Sequence, residues 1–326
     1  VIGVLGGYGN IGKEVVKLLI HLGYTDIMIG SRTHHTFEDE RDQILNEVIW
    51  EELNIKDEES LCTFMRKNEV IINAAGPSSQ LSLIVARCAK NMGNHVIDCG
   101  FHEEIKNLKQ EEMAQSVLYN MGSVPGVSEI LPLVFKRDFK EIQSFIHFYG
   151  VRGAFTESAA ADFIEGVIKH TGNTVSKVLD NTPSMKDILP FFEDVRRMIP
   201  YINEDTVKIE EKLNCHLAQW YTVISGENTV AFFKDMLRGY FVDKNKLAVQ
   251  LSLASELDMM GKKESIKFLI EMNGINQFGE EKHQIYIITA PSQKVLSAAF
   301  MVAIYESLKE DCIESGVGSM EKIKEL

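Results

Sequence analysis

Val1-Ile-Gly-Val-Leu-Gly-Gly-Tyr-Gly-Asn-Ile-Gly12 decides the reading of this chain. Five apolar or small residues come first, as a buried strand requires. A glycine-rich turn follows, and Lys13-Glu-Val-Val-Lys-Leu-Leu-Ile20 then opens with helical spacing. Gly7, Gly9 and Gly12 stand at G-x-G-x-x-G spacing. The first glycine is expected to allow the tight turn, the second to let the backbone approach a diphosphate, and the third to let helix and strand pack closely. The helix N-terminus then turns unpaired N–H groups and a positive dipole end toward phosphate. Gly7, Tyr8, Gly9, Asn10, Ile11 and Gly12 are therefore read as part of a dinucleotide site. A turn that merely joins strand to helix is the plainer alternative.

Downstream, strands and helices alternate. Asp26–Gly30, Glu47–Leu53, Glu69–Ala75, His95–Cys99 and Ser116–Met121 read as strands. Asp57–Arg66 and Leu81–Met92 read as helices, with Asp57 placed to cap the first and Gly93 closing the second. Such alternation predicts an α/β fold with a doubly wound parallel Rossmann sheet. After about Phe139 the rhythm changes. Glu141–Val151, His216–Ser225, Ser265–Asn273 and Gln284–Ala290 look like long antiparallel strands, and Glu157–His170 like a helix. Asn181–Pro200 reads as a polar stretch broken by prolines. These elements predict a second, α+β substrate or dimerisation domain. The expected boundaries are 1–130 for the nucleotide domain and 131–290 for the second. The helix Ser292–Lys309 returns to the first domain as part of 291–326.

The composition sets limits. The chain has 326 residues, 45% hydrophobic and 25% charged, enough for a sizeable core. A formal net charge of -13 repels phosphate backbones, so nucleic acid is not an expected partner. No apolar run is long enough to span a bilayer and no signal peptide is read. The five cysteines are scattered without a C-x-x-C pair, which suggests neither a zinc site nor a disulfide framework. A reduced, cytoplasmic protein without a metal site is the resulting expectation.

The end of the second predicted strand bears on cofactor choice. A carboxylate there would bind the ribose 2′-hydroxyl of NAD. Here the chain reads Gly30-Ser31-Arg32-Thr33. Ser31 and Thr33 can donate to a 2′-phosphate, and Arg32 can pair with it and stack on adenine. NADP(H) is therefore favoured over NAD(H). A surface arginine after a strand is the alternative for Arg32.

Three further segments carry a resemblance. They are Val70-Ile-Ile-Asn-Ala-Ala-Gly-Pro77, His95-Val-Ile-Asp-Cys-Gly100 and Asn120-Met-Gly-Ser-Val-Pro-Gly-Val-Ser-Glu129. With the glycine turn and Ser31-Arg32, they resemble the saccharopine dehydrogenase / saccharopine reductase family over the first 130 residues or so. The resemblance implies that Asn73, Ala74, Ala75, Gly76 and Pro77 line the cofactor. It places Asp98 and Gly100 near the nicotinamide, and makes Pro125-Gly126 the turn toward the substrate domain. It also implies oxidoreduction at a carbon–nitrogen bond of an imine or secondary amine, without fixing the substrate.

Candidate acid–base residues follow from position. His102 lies after the fifth strand, where strand C-termini face the ligand crevice; capping the next helix is its equal alternative. Asp98 ends an apolar strand and needs a partner, either a substrate amine or a turn amide. Arg152 ends a strand and suits a substrate carboxylate, against a solvated surface role. Glu129 is a substrate-binding candidate or the cap of the helix it opens. Arg196-Arg197 is expected on a helix face, and His34-His35 in a loop without metal-ligand spacing.

The leading expectation is an NADP-dependent oxidoreductase acting on the CH–NH group of an amino-acid-like substrate, as a homodimer, with neither nucleic acid nor membrane as partner. An extended short-chain dehydrogenase is one alternative. Its Tyr-x-x-x-Lys spacing recurs at Tyr240/Lys244 and Tyr305/Lys309, both too late in the chain. A non-catalytic NADP-binding regulator is another, because binding motifs are not catalytic motifs, and a reductase of an intermediate in a peptide-type natural-product pathway is a third.

Overall fold

The computed structural model describes residues 1–110, 113–171, 191–192, 195–215, 217–239 and 243–324. They divide into two compact units, Val1–Val127 with Lys294–Leu326, and Ser128–Gln293.

Unit 1 is built on a seven-stranded parallel sheet. Its strands are β1 (Ile2–Leu5), β2 (Ile27–Ser31), β3 (Ile49–Glu52), β4 (Val70–Asn73), β5 (His95–Asp98), β6 (Ser116–Leu118) and β12 (Gly316–Gly318), in the order β12-β6-β5-β4-β1-β2-β3. The order reverses between β1 and β4, so the C-terminal ends of those strands flank the ligand crevice of a doubly wound sheet. Helix α1 (Asn10–His21) turns Val15, Val16 and Leu19 inward, all fully buried. Burying each contributes about 1.5–3 kcal/mol. Helices α2 (Glu58–Arg66) and α3 (Ser78–Met92) share one core cluster through Leu61, Phe64, Val85 and Ala89.

The local signals explain where these helices begin and end. The Asp57 carboxylate accepts from the Glu59 and Ser60 amides at the start of α2, which satisfies orphan donors there. Gly93 ends α3 with φ 78°, a left-handed cap that favours glycine. Helix α9 (Gln293–Lys309) is fastened within unit 1 by the Tyr24–Tyr305 ring contact at 5.4 Å and by Ser297 bonded to Ser123.

Unit 2 holds a five-stranded sheet of β7 (Glu141–Arg152), β8 (Val195–Pro200), β9 (Leu217–Ser225), β10 (Ser265–Ile275) and β11 (Glu281–Ala290), in the order β11-β10-β7-β9-β8. The sheet is mixed rather than antiparallel throughout, because β7 and β9 run parallel. One face packs Phe145, Trp220, Ile270 and Met272 against Ile209 and Leu213, which lie on α6 (Glu204–Leu213). Helices α5 (Glu157–Thr171), α7 (Glu227–Gly239) and α8 (Lys244–Met259) cluster around Phe233 and Leu251, with Ile199 and Ile224 of the sheet. The chain enters unit 2 through α4 (Val127–Lys136).

Two expectations need correction. The stretch Asn181–Pro200 ends in strand β8, held by antiparallel pairing to β9; residues 181–190 lie outside the described residues. Arg196 and Arg197 therefore sit in a strand, not on a helix face. Tyr240 also lies outside the described residues.

Candidate functional site

The glycine turn forms a tight cradle at the C-terminal end of β1. Gly6 is the residue with a left-handed backbone, φ 71°, so the turn itself needs glycine there rather than at Gly7. Gly7 is required for space, since a Cβ would come within 2.8 Å of the Ile29 side chain. At Gly12 a Cβ would lie 2.1 Å from the Gly6 carbonyl oxygen, so the third glycine does set the close approach of α1 to β1. Gly9 caps α1 without a side-chain hydrogen bond, and no acidic side chain occupies the first turn. The amides of Asn10, Ile11 and Gly12 find no acceptor among the described residues. Three unpaired N–H groups at a helix N-terminus suit a diphosphate.

The β4 end closes the other side. Leu5 and Asn73 are register partners, and Ala74 N–H donates to the Leu5 carbonyl at 3.0 Å. Asn73, fully buried, donates from Nδ2 to Asp98 Oδ2 at 2.7 Å, and its Oδ1 accepts from Ala75 N–H. The other Asp98 oxygen accepts from Gly100 N–H at 2.7 Å. Asp98 thus ties the ends of β4 and β5 together and holds the Asn73–Pro77 segment in place. That geometry is the turn-bonding alternative of the sequence reading.

At the β2 end the three expected phosphate ligands differ in what they have free. Ser31 Oγ donates to the Thr33 carbonyl at 2.8 Å and accepts from Trp50 Nε1 at 2.9 Å, so its single proton shapes the turn. Thr33 Oγ1 lies 3.1 Å from His35 Nε2. Arg32 is exposed and has no hydrogen-bond or ion-pair partner among the described residues. The following loop folds across the glycine turn, a feature sequence reading missed. Tyr8 meets His35 at 5.1 Å and Phe37 at 5.7 Å, and His34 meets Trp50 at 5.1 Å. Asp42 anchors the far end of that loop to Lys13 at 2.6 Å and to Lys17 at 2.5 Å. Burial works to raise the Asp42 carboxyl, but the two lysines carry it below the usual range.

The crevice residues therefore come together as one strip along the C-terminal edge of the unit 1 sheet: the glycine turn, Ser31–Thr33, Asn73–Pro77 and Asp98. His102 follows β5 on the same edge. Its Nδ1 accepts from Glu104 N–H at 3.2 Å, which caps the short 3-10 helix Glu103–Gln110. Tyr119 is a core residue against Phe101 at 4.8 Å.

The remaining candidates belong to unit 2. Arg152 lines a shallow cleft with Lys267, Ser225, Ser265 and Phe192. Strand register brings Arg152 beside Ser265 and Gly150 beside Lys267. Glu129 is fully buried, accepting from Ser128 Oγ at 2.5 Å and from Tyr201 Oη at 2.9 Å. Burial, then the Glu129 charge, pushes the Tyr201 phenol well up. Tyr305 and Lys309 both contact Tyr24, so their spacing serves the packing of α9. No cluster of metal-ligating side chains occurs among the described residues.

Residues 2–119 match the family model of the saccharopine dehydrogenase NADP binding domain. The N-terminal domain belongs to that family. It is an NADP-binding domain, and the unpaired amides of α1 and the unpaired Arg32 fit that cofactor. Among curated protein sequences nothing matches. The fold is similar to that of apo saccharopine dehydrogenase (L-Glu forming) from Saccharomyces cerevisiae, with a TM-score of 0.62 at 11% identity over 98% of this chain and 93% of that one. It is also similar to an engineered D-amino acid dehydrogenase, with a TM-score of 0.52 at 14% identity over 99% and 93%. At such identities the likeness is one of fold.

Proposed function

We propose that this chain is an NADP-dependent oxidoreductase of the saccharopine dehydrogenase type, acting at the carbon–nitrogen bond of an amino-acid-like substrate. The observation that carries the reading is the NADP-binding domain of that family, with Arg32 left unpaired at the end of β2. The two structural neighbours, a saccharopine dehydrogenase and an engineered D-amino acid dehydrogenase, support the substrate class.

Bound NADPH would supply hydride from C4 of its nicotinamide. The chain's own residues would do the rest. Amides of Asn10, Ile11 and Gly12 would hold the diphosphate, and Arg32 would counter the 2′-phosphate. The Asn73–Asp98 bond would keep the Asn73–Pro77 wall rigid. An iminium accepts hydride readily, so placement matters more than a strong acid. His102 would exchange a proton at Nε2 during imine formation. Arg152, with Lys267 beside its strand, would take a substrate carboxylate by a bidentate pair. A homodimer is part of the proposal. Strand β11 is an edge strand with Ile285 and Ile287 about half exposed, and the unpaired backbone of such an edge is a template for pairing with a second chain.

The test is NADPH oxidation with panels of oxo acids plus amines or amino acids, with light scattering for the oligomer. Turnover with at least one pair supports the reading. Tight NADPH binding with no turnover across the panels, joined to capture of a protein partner, would favour the regulator instead.

A further inference from the structure

Helices α2 and α3 bring two cysteines into contact away from the cofactor edge. Cys62 is partly exposed on α2 and Cys88 is 6% exposed on α3. Their sulfurs lie 3.1 Å apart. Cys215 and Cys312, by contrast, direct their thiols to the backbone carbonyls of Gln143 and Glu310. A disulfide bond is about 2.05 Å long, so the Cys62 and Cys88 sulfurs need to close by only about an ångström.

We propose that Cys62 and Cys88 are a dithiol modification site that takes a low-molecular-weight disulfide as oxidant and forms an intramolecular disulfide within the native fold. The order of events follows from burial. Cys62, the more exposed, attacks one sulfur of the small disulfide as a thiolate. The oxidant's S–S bond breaks and one small thiol leaves with the proton given up by Cys62. Cys88 then attacks the Cys62 sulfur of the mixed disulfide. The second small thiol leaves with the proton of Cys88, so two thiols are oxidised and one disulfide is reduced to two thiols. Burial, and then the Cys62 thiol beside it, push Cys88 up to about 12. The closed loop, Cys62 to Cys88, contains β4 and the Asn73–Pro77 wall.

The experiment uses the reduced full chain treated with glutathione disulfide, then alkylated and digested with trypsin without reductant. The expected product is peptide Asp57–Arg66 joined to peptide Cys88–Lys90, with Cys99, Cys215 and Cys312 alkylated once the chain is unfolded. The oxidised chain should melt several degrees higher than the reduced one, because the crosslink restricts the unfolded ensemble. Reductant should reverse the shift, and Cys62→Ser, at the half-buried position, should abolish both the linked peptide and the shift while still binding NADPH. A glutathione adduct that persists on Cys62 would overturn the proposal. So would linkage of either cysteine to another partner, linkage only in urea, or a lower melting temperature on oxidation.

Discussion

Truncation of Arg32 isolates the cofactor choice. Arg32 follows β2, is exposed, and has no protein partner among the described residues, so Arg32→Ala removes a cation without orphaning a carboxylate. The melting temperature of the apo chain should not move. What is lost is a charge-assisted bond to the 2′-phosphate. Hydrogen bonds to charged groups contribute about 1.5–3 kcal/mol, and an exposed site belongs at the low end because solvent and salt screen it. About 1.5 kcal/mol is roughly a tenfold rise in the NADPH dissociation constant. NADH carries no 2′-phosphate, so its constant should hold within about twofold. Arg32→Lys keeps the charge but loses the planar fork, and should fall between the two. Isothermal titration with both coenzymes, at low and moderate salt, reads all of this. Equal weakening of NADPH and NADH, or an unchanged NADPH constant, would refute the assignment of Arg32.

Three other outcomes are expected. Gly12→Ala should abolish NADPH binding and lower the melting temperature, since its Cβ would meet the Gly6 carbonyl at 2.1 Å; Gly9→Ala, at 3.1 Å from the same oxygen, should be milder in both. Asp98→Asn sets an amide donor against either Asn73 Nδ2 or Gly100 N–H, so stability should fall by about 1–3 kcal/mol and NADPH affinity should fall with it; a loss of turnover with the melting temperature intact would instead mark Asp98 as catalytic. His147 is fully buried between Trp220 and Phe268, neither ring nitrogen has a partner, and burial depresses it from 6.5 to about 3. The unfolded chain then binds the proton first, so this residue's stability contribution is present above pH 6.5 and drains away as pH falls toward 3. His147→Leu should remove about 2 kcal/mol of destabilisation between about pH 7.5 and about pH 5, read from urea midpoints, and an unaltered pH slope would contradict it.

Local signals explain what was legible. Asp57 and Gly93 announce helix ends because capping is chemistry within a few residues, and the structure places both where the sequence did. The first turn was legible as a motif but not in detail, since which glycine takes positive φ depends on Ile29 and Ala75 packing against it. Strand β8 was hidden because Arg196-Arg197 reads as a charged helix face and Pro200 as a chain break; its pairing partner, β9, lies about twenty residues on. The burial of His147 follows from alternation along β7, but its lack of partners depends on what β9 and β10 bring beside it. Cys62 and Cys88 meet only because α2 and α3 pack on one face. Helices α6, α7 and α8 carried no signal that was read.

The charge balance of the cofactor edge joins these points. A chain with a formal net charge of -13 has no long-range field that draws in an anionic coenzyme, so any attraction must be local. Lys13 and Lys17, on the helix that presents the amides, are held by Asp42, and Glu14 also engages Lys17. Burial alone would lower Lys17, but Asp42 and Glu14 raise it instead, so that charge already has its partners. Among the described residues of this edge, fixed amide dipoles and the unpaired Arg32 guanidinium are what remain for the phosphates. Amides serve the diphosphate of either coenzyme alike, whereas a guanidinium beyond β2 serves only the one with the extra phosphate. Selectivity and affinity are thus carried by different groups, and substituting Asp42, which frees Lys13 while Glu14 still holds Lys17, should raise affinity for NADPH and NADH together without changing their ratio.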